Sequence, residues 1–164
     1  MSLLVTISGL PATGKSTVGR AVANEMSAPY VRIDTIENAI ARAGAEVGPL
    51  GYCAGYALAG DLLRQGFTVF AESVNALAVT RESWHDVADR GGAKCVDVEF
   101  VCSDPVEHER RARTRTVDIP DHTLPTWADI QQRTYEPWAT DRVVIDTAGR
   151  SVEECAAQLR VALA

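Results

Sequence analysis

Residues 9–16 read Gly-Leu-Pro-Ala-Thr-Gly-Lys-Ser. Two glycines bracket four residues, and Lys and Ser follow at once, which is the Walker A spacing. The string works in only one structural setting, so it constrains the fold strongly. A strand must deliver the chain to the loop, and the glycines must let the backbone turn its N–H groups inward. A helix must then start at once, so that its positive end faces a phosphate. Both neighbours are present. Leu3–Ile7 is short, apolar and β-branched, and Thr17–Met26 carries Val18, Ala21, Val22 and Met26 at helical spacing. Gly9, Pro11, Ala12, Thr13, Gly14, Lys15, Ser16 and Thr17 therefore form the expected phosphate cradle. Lys15 brings charge to the outer phosphates, and Ser16 offers a hydroxyl to Mg²⁺.

The rest of the chain alternates in the same way. Tyr30–Ile33, Phe67–Ala71, Val96–Val101 and Arg142–Ile145 read as further short strands, with helices between them and from Val152 onward. Short apolar strands alternating with helices predict a parallel sheet covered on both faces. The expected fold is three-layer α/β/α with five parallel strands, and residues 1–164 form one domain of ordinary size. Asp104-Pro105-Val106-Glu107 and Ser151-Val152-Glu153-Glu154 read as capped helix starts. Residues 44–60 hold five glycines and two tyrosines, which predicts a mobile approach followed by a closely packed helix. The region 35–60 is the expected substrate region. A formal charge of −6 argues against wrapping nucleic acid by bulk charge. Four cysteines without short spacing predict reduced thiols. With no basic leader and no apolar run of about 20 residues, the expectation is a cytoplasmic protein that makes no use of a membrane.

Four predicted strands run into acids, at Asp34, Glu72, Asp104 and Asp146. In an open parallel sheet the carboxyl ends form the ligand edge. Asp104 is accounted for as a cap. Asp34 heads Asp34-Thr35-Ile36-Glu37, itself a capping-box string, so a cap and a site acid compete there. Glu72 ends the most apolar strand, where an acid would hold Mg²⁺ or its water, together with Ser16. Asp146-Thr147-Ala148-Gly149 matches a GTPase switch string. However, it lies about 130 residues too late, and no Asn-Lys-x-Asp accompanies it. The Arg-rich stretch 107–115 places Arg111 and Arg115 on one helical face, ahead of a segment with Pro120 and Pro125. Surface pairing of Glu107 with Arg111 and Glu109 with Arg113 is the competing reading, although four arginines outnumber those two acids.

Together these features resemble the small P-loop kinases that phosphorylate hydroxyl groups of metabolites or antibiotics. That group includes gluconate, shikimate and adenylylsulfate kinases, chloramphenicol phosphotransferase and the kinase half of polynucleotide kinase. Residues 33–39 and 69–72 are most similar to the chloramphenicol phosphotransferase segments. The resemblance implies ATP with Mg²⁺ and a catalytic base at Asp34. It implies a lid over about residues 111–127 carrying Arg111 and Arg115, and a nucleotide-base contact at Ala148 and Gly149. Asn75 and Arg81 become acceptor contacts. The implied activity is γ-phosphoryl transfer to a small-molecule hydroxyl. An ATP-binding switch without an acceptor and a polynucleotide 5′-hydroxyl kinase are the alternatives. Glu72 departs from the family, whose third strand more often ends in Asp.

Overall fold

The computed structural model describes residues 2–164. Its centre is a five-stranded parallel sheet in the order β2-β3-β1-β4-β5. The strands are β1 (Leu3–Ser8), β2 (Tyr30–Arg32), β3 (Val69–Glu72), β4 (Lys94–Val101) and β5 (Val143–Asp146). Seven helices join them: α1 (Lys15–Glu25), α2 (Ile33–Arg42), α3 (Leu50–Arg64), α4 (Ala78–Arg90), α5 (Pro105–Thr114), α6 (Trp127–Gln132) and α7 (Val152–Leu163).

Strand side chains alternate between faces, so the inner strands feed two cores. Val5 and Ile7 of β1, with Phe70, Val98, Phe100 and Ile145, meet Val18 and Val22 of α1 and Cys155 and Leu159 of α7. On the other face Leu4, Val31, Val69 and Ala71 meet Ala59 and Leu63 of α3 and Trp84 and Ala88 of α4. The inner strands are covered on both sides, which explains why they read as continuous apolar runs, whereas the edge strand β5 leaves Val144 exposed.

All carboxyl ends point one way, and the loops after them share one edge. The loop after β1 needs its first glycine. Gly9 has φ +140, and a Cβ there would stand 2.3 Å from the Phe100 carbonyl oxygen.

Two sequence expectations change. Helix α2 begins at Ile33, directly after β2, with Arg32 in the N-cap position and no side-chain cap. Asp34 is therefore not a cap but an acid in the first helical turn. At α5, Asp104 does cap, accepting hydrogen bonds from Val106 N (2.9 Å) and Glu107 N (3.2 Å). Glu107 does not complete that box; it accepts from Gly149 N at 2.9 Å instead. The Ser151–Glu154 box forms as read, and Thr126 with Asp129 makes another at α6. In the glycine-rich region, residues 44–49 are irregular and α3 follows. Gly51 and Gly55 let α3 close onto α2, since a Cβ at Gly51 would stand 2.2 Å from Glu37 Cγ and one at Gly55 2.3 Å from Ile33 Cδ1.

Candidate active site

A cavity of about 810 Å³ opens on the carboxyl edge of the sheet. Pro11, Ala12, Gly14, Lys15, Ser16 and Thr17 line its floor. The first turn of α1 holds no acid and has no side-chain cap, so its N–H groups and positive end are left for an anion. Lys15 is buried, with Nζ 3.4 Å from the Leu10 carbonyl oxygen. Burial pulls its pKa down, while the charges of Glu72 and Asp34 act the other way.

Behind the floor, Ser16 Oγ donates to Glu72 Oε1 at 2.7 Å, and Tyr30 donates its hydroxyl to Glu72 Oε2 at 2.6 Å. Burial, then the charge and hydrogen bond of Glu72, push the Tyr30 phenol well above its ordinary range. Arg32 Nε stands 3.3 Å from Glu72 Oε1, and Arg32 Nη1 donates to Asp118 Oδ2 at 2.7 Å. The Ser16 hydroxyl and the buried Glu72 carboxylate form an all-oxygen donor pair beside the phosphate loop. This is the chemistry that Mg²⁺ prefers.

One wall comes from α5 and the turn after β5. Arg111 donates Nη1 to Thr147 Oγ1 (2.7 Å) and Nη2 to Thr147 O (2.9 Å) and Glu107 Oε1 (2.5 Å). Thr147 in turn donates to Thr13 O at 2.7 Å. Arg111 is thus fixed against the phosphate loop through Thr147. Arg115 lies further out, donating Nη2 to Pro125 O at 3.3 Å, and its buried Nε has no partner among the described residues. Burial lowers its pKa, and Asp34 is the largest influence raising it. Arg113, by contrast, pairs with Glu109 at 2.7 Å and is exposed. Both expected pairs therefore form, Glu107 with Arg111 and Glu109 with Arg113, but Arg111 and Arg115 also line the cavity while Arg113 does not.

The opposite wall is α2. Asp34 and Glu37 line the cavity three residues apart, so they share a helical face. The Asp34 carboxylate accepts no hydrogen bond among the described residues. Burial, then the negative charge of Asp34, raises the pKa of Glu37, and Arg133 opposes them.

Some expected residues lie elsewhere. Asn75 is fully buried, donating Nδ2 to Ser8 Oγ (3.0 Å) and accepting from Thr80 (2.8 Å). Arg81 is buried with its guanidinium on the carbonyls of Asn75, Ala76, Glu136 and Pro137 and packed on Trp138. Neither lines the cavity, so the acceptor contact expected of each is corrected to an internal anchor. Ala148 and Gly149 do not line it either; Thr147, Arg150, Ser151 and Val152 do. Gly9 and Thr13 shape the loop from behind. The sequence reading missed Glu37, Arg32 and Thr147. Only Glu37 left a signal, its three-residue spacing from Asp34.

A parallel α/β/α sheet with a phosphate loop between its central strand and α1 defines a P-loop NTPase domain. Within that class, a family profile described as an AAA domain matches residues 4–137, and the chain belongs to that family. No curated protein matches the chain in sequence. Among solved structures, a Chloroflexus aurantiacus protein provisionally classed as a kinase is 19% identical with a TM-score of 0.76, over 99% of this chain and 98% of that one. The APS kinase of Mycobacterium tuberculosis in complex with AMPPNP and APS is 19% identical with a TM-score of 0.74, over 99% and 96%. A gluconokinase from Sinorhizobium meliloti is 19% identical with a TM-score of 0.68, over 99% and 90%. At such identities the likeness concerns the fold.

Proposed function

We propose that this chain is an ATP-dependent phosphotransferase that passes the γ-phosphoryl group to a hydroxyl of a small molecule. The observation that carries the reading is Asp34. Its carboxylate has no hydrogen-bond partner among the described residues and lines the cavity that Lys15, Ser16 and Arg115 also line. A nucleotide-binding switch has no use for such an acid, whereas phosphoryl transfer to an alcohol needs an acceptor for the hydroxyl proton. The fold's likeness to a gluconokinase and an APS kinase supports this.

The loop N–H groups and Lys15 hold the outer phosphates. Ser16 and Glu72 would hold Mg²⁺, once their mutual hydrogen bond opens; the ion would supply charge neutralisation on the phosphates. Asp34 orients the acceptor hydroxyl and takes its proton. Arg115, with its buried Nε, balances charge that grows on the transferring group. Residues from about 111 to 127 act as the lid, and the whole chain acts as one catalytic domain. Its reliance on ATP supports a cytoplasmic location.

The test is ATP consumption against a panel of sugars, sugar acids, nucleosides, hydroxylated antibiotics and polynucleotide ends. Acceptor-dependent ADP release with a small alcohol supports the reading. Turnover with polynucleotide ends alone, or none with any acceptor, overturns it.

A further inference from the structure

Away from the phosphate loop, near the amino end of β4, three side chains of mixed chemistry converge. Cys95 and Asp97 are two apart on β4 and so point to one face, where α4 places His85. One donor atom from each residue lies within 4.8 Å of the other two. We propose that His85, Cys95 and Asp97 form a site for a zinc-class divalent cation, with water completing a tetrahedral shell.

Four observations support this site. First, the Asp97 side chain is only 1% exposed, and buried carboxylates need a charged or strongly donating partner. Second, its two oxygens are divided: Oδ1 accepts from Thr6 Oγ1 at 2.6 Å, while Oδ2 faces His85 Nε2 at 2.6 Å. Thr6 thus fixes the carboxylate from behind, as second partners of metal ligands do, and leaves Oδ2 toward the centre. Third, a thiolate, an imidazole and a carboxylate form a set that favours zinc over Mg²⁺ or Ca²⁺. This cation would therefore not be the one that Ser16 and Glu72 suit. Fourth, the His85 side chain is 41% exposed, which gives an ion a way in. Tetrahedral donors sit roughly 3.3–3.8 Å apart around zinc, so His85 must swing about 1 Å away from Asp97. A half-buried ring on a helix surface can do so while the two strand residues stay still. The bound ion would tie α4 to β4 and so stabilise the fold, without touching the phosphate site.

Co²⁺ titration of the tag-free, nucleotide-free protein tests the site, followed by competition with Zn²⁺. One equivalent of Co²⁺ should give a thiolate charge-transfer band and tetrahedral d–d bands. Cys95→Ser should lose the charge-transfer band, and His85→Gln should weaken binding at least tenfold. Thr6→Val should weaken it by about tenfold, the lower end of such supporting contacts. Zn²⁺ at a hundredfold excess over Kd should raise Tm by about 5–10 °C in the wild type and not in Cys95→Ser. His85 is half-buried, and Gln at this position can still donate an amide N–H toward Asp97 Oδ2, so His85→Gln keeps its fold even where Cys95→Ser does not. A missing charge-transfer band overturns the site, as does undiminished binding in either variant. The phosphotransferase reading is untouched by either outcome, because no acceptor or ATP enters the measurement.

Discussion

At the residue scale, Lys15 and Asp34 carry the sharpest expectations. Lys15→Ala removes the cation from the loop but leaves its backbone N–H groups. Turnover should vanish while a reduced ADP affinity survives in titration calorimetry. Asp34→Asn is nearly isosteric. Because Asp34 is in the first turn of α2 rather than at its cap, the variant should cost at most about 1 kcal/mol, through the lost dipole interaction. Transfer to an acceptor should nonetheless fall by roughly 10²–10⁴, the usual worth of a general base. Near-normal turnover in Asp34→Asn would remove the base from the scheme. The two arginines should separate as well. Arg115 makes one long contact to a carbonyl, so Arg115→Ala should lower kcat more than it raises the Kd for ADP. Arg111 is tied to Thr147 and Glu107, so Arg111→Ala should weaken ADP binding and lower Tm together. Equal effects of both variants on kcat, Kd and Tm would contradict this division.

At the element scale, α2 and α3 set the acceptor wall through glycine. Gly51→Ala puts a methyl group 2.2 Å from Glu37 Cγ, so the Glu37 side chain must rotate about its first side-chain bond to leave that place. Gly51→Ala should therefore raise the acceptor KM severalfold with little change in ADP affinity or Tm. A large fall in Tm would instead show that α3 itself had been displaced. The elements also show what the sequence could reveal. The β–α alternation and the phosphate loop were legible, because strand burial on both faces and helix initiation at Lys15 are local consequences of local residues. The start of α2 was not. Asp34-Thr35-Ile36-Glu37 has the form of a capping box, but the helix starts directly from β2, one residue before Asp34, so that string lies within it. Arg81 and Asn75 were misplaced for a different reason. Their partners Glu136, Pro137 and Ser8 are 55, 56 and 67 residues away in sequence, and no spacing within α4 announces them. Arg32 was missed on the same ground, since Asp118 is 86 residues distant.

At the scale of the whole molecule, Arg32 joins the floor of the site to the segment above it. Its guanidinium meets Glu72 on one side and Asp118 on the other, and Arg20 reaches the same Asp118 oxygen at 3.1 Å. Asn38 Nδ2 holds the Pro120 carbonyl nearby at 2.9 Å. The segment 115–126 is thus held over the cavity by a tether that depends on an ionised Asp118. Burial alone would raise the Asp118 pKa, but the hydrogen bond and charge of Arg32, then the charge of Arg20, hold it below the usual carboxylate range. A depressed folded pKa means that the stabilisation is fully present above the unfolded value of about 3.9 and is lost as pH falls through the folded value. Asp146 behaves alike: the hydrogen bonds from Ser103 and Ala148 outweigh its burial. Tm should therefore stay level from pH 8 to about 5 and drop below about pH 4. Asp118 is 43% exposed, so screening limits its share, and Asp118→Asn should cost at most about 1 kcal/mol at pH 7. That deficit should be constant above about pH 4 and shrink as pH falls further below the unfolded value of about 3.9, because the wild-type carboxyl then loses its advantage. Melting curves of both proteins from pH 3 to 8 decide the point. An offset that stays constant across the range would mean that the Asp118 charge does not hold the segment in place.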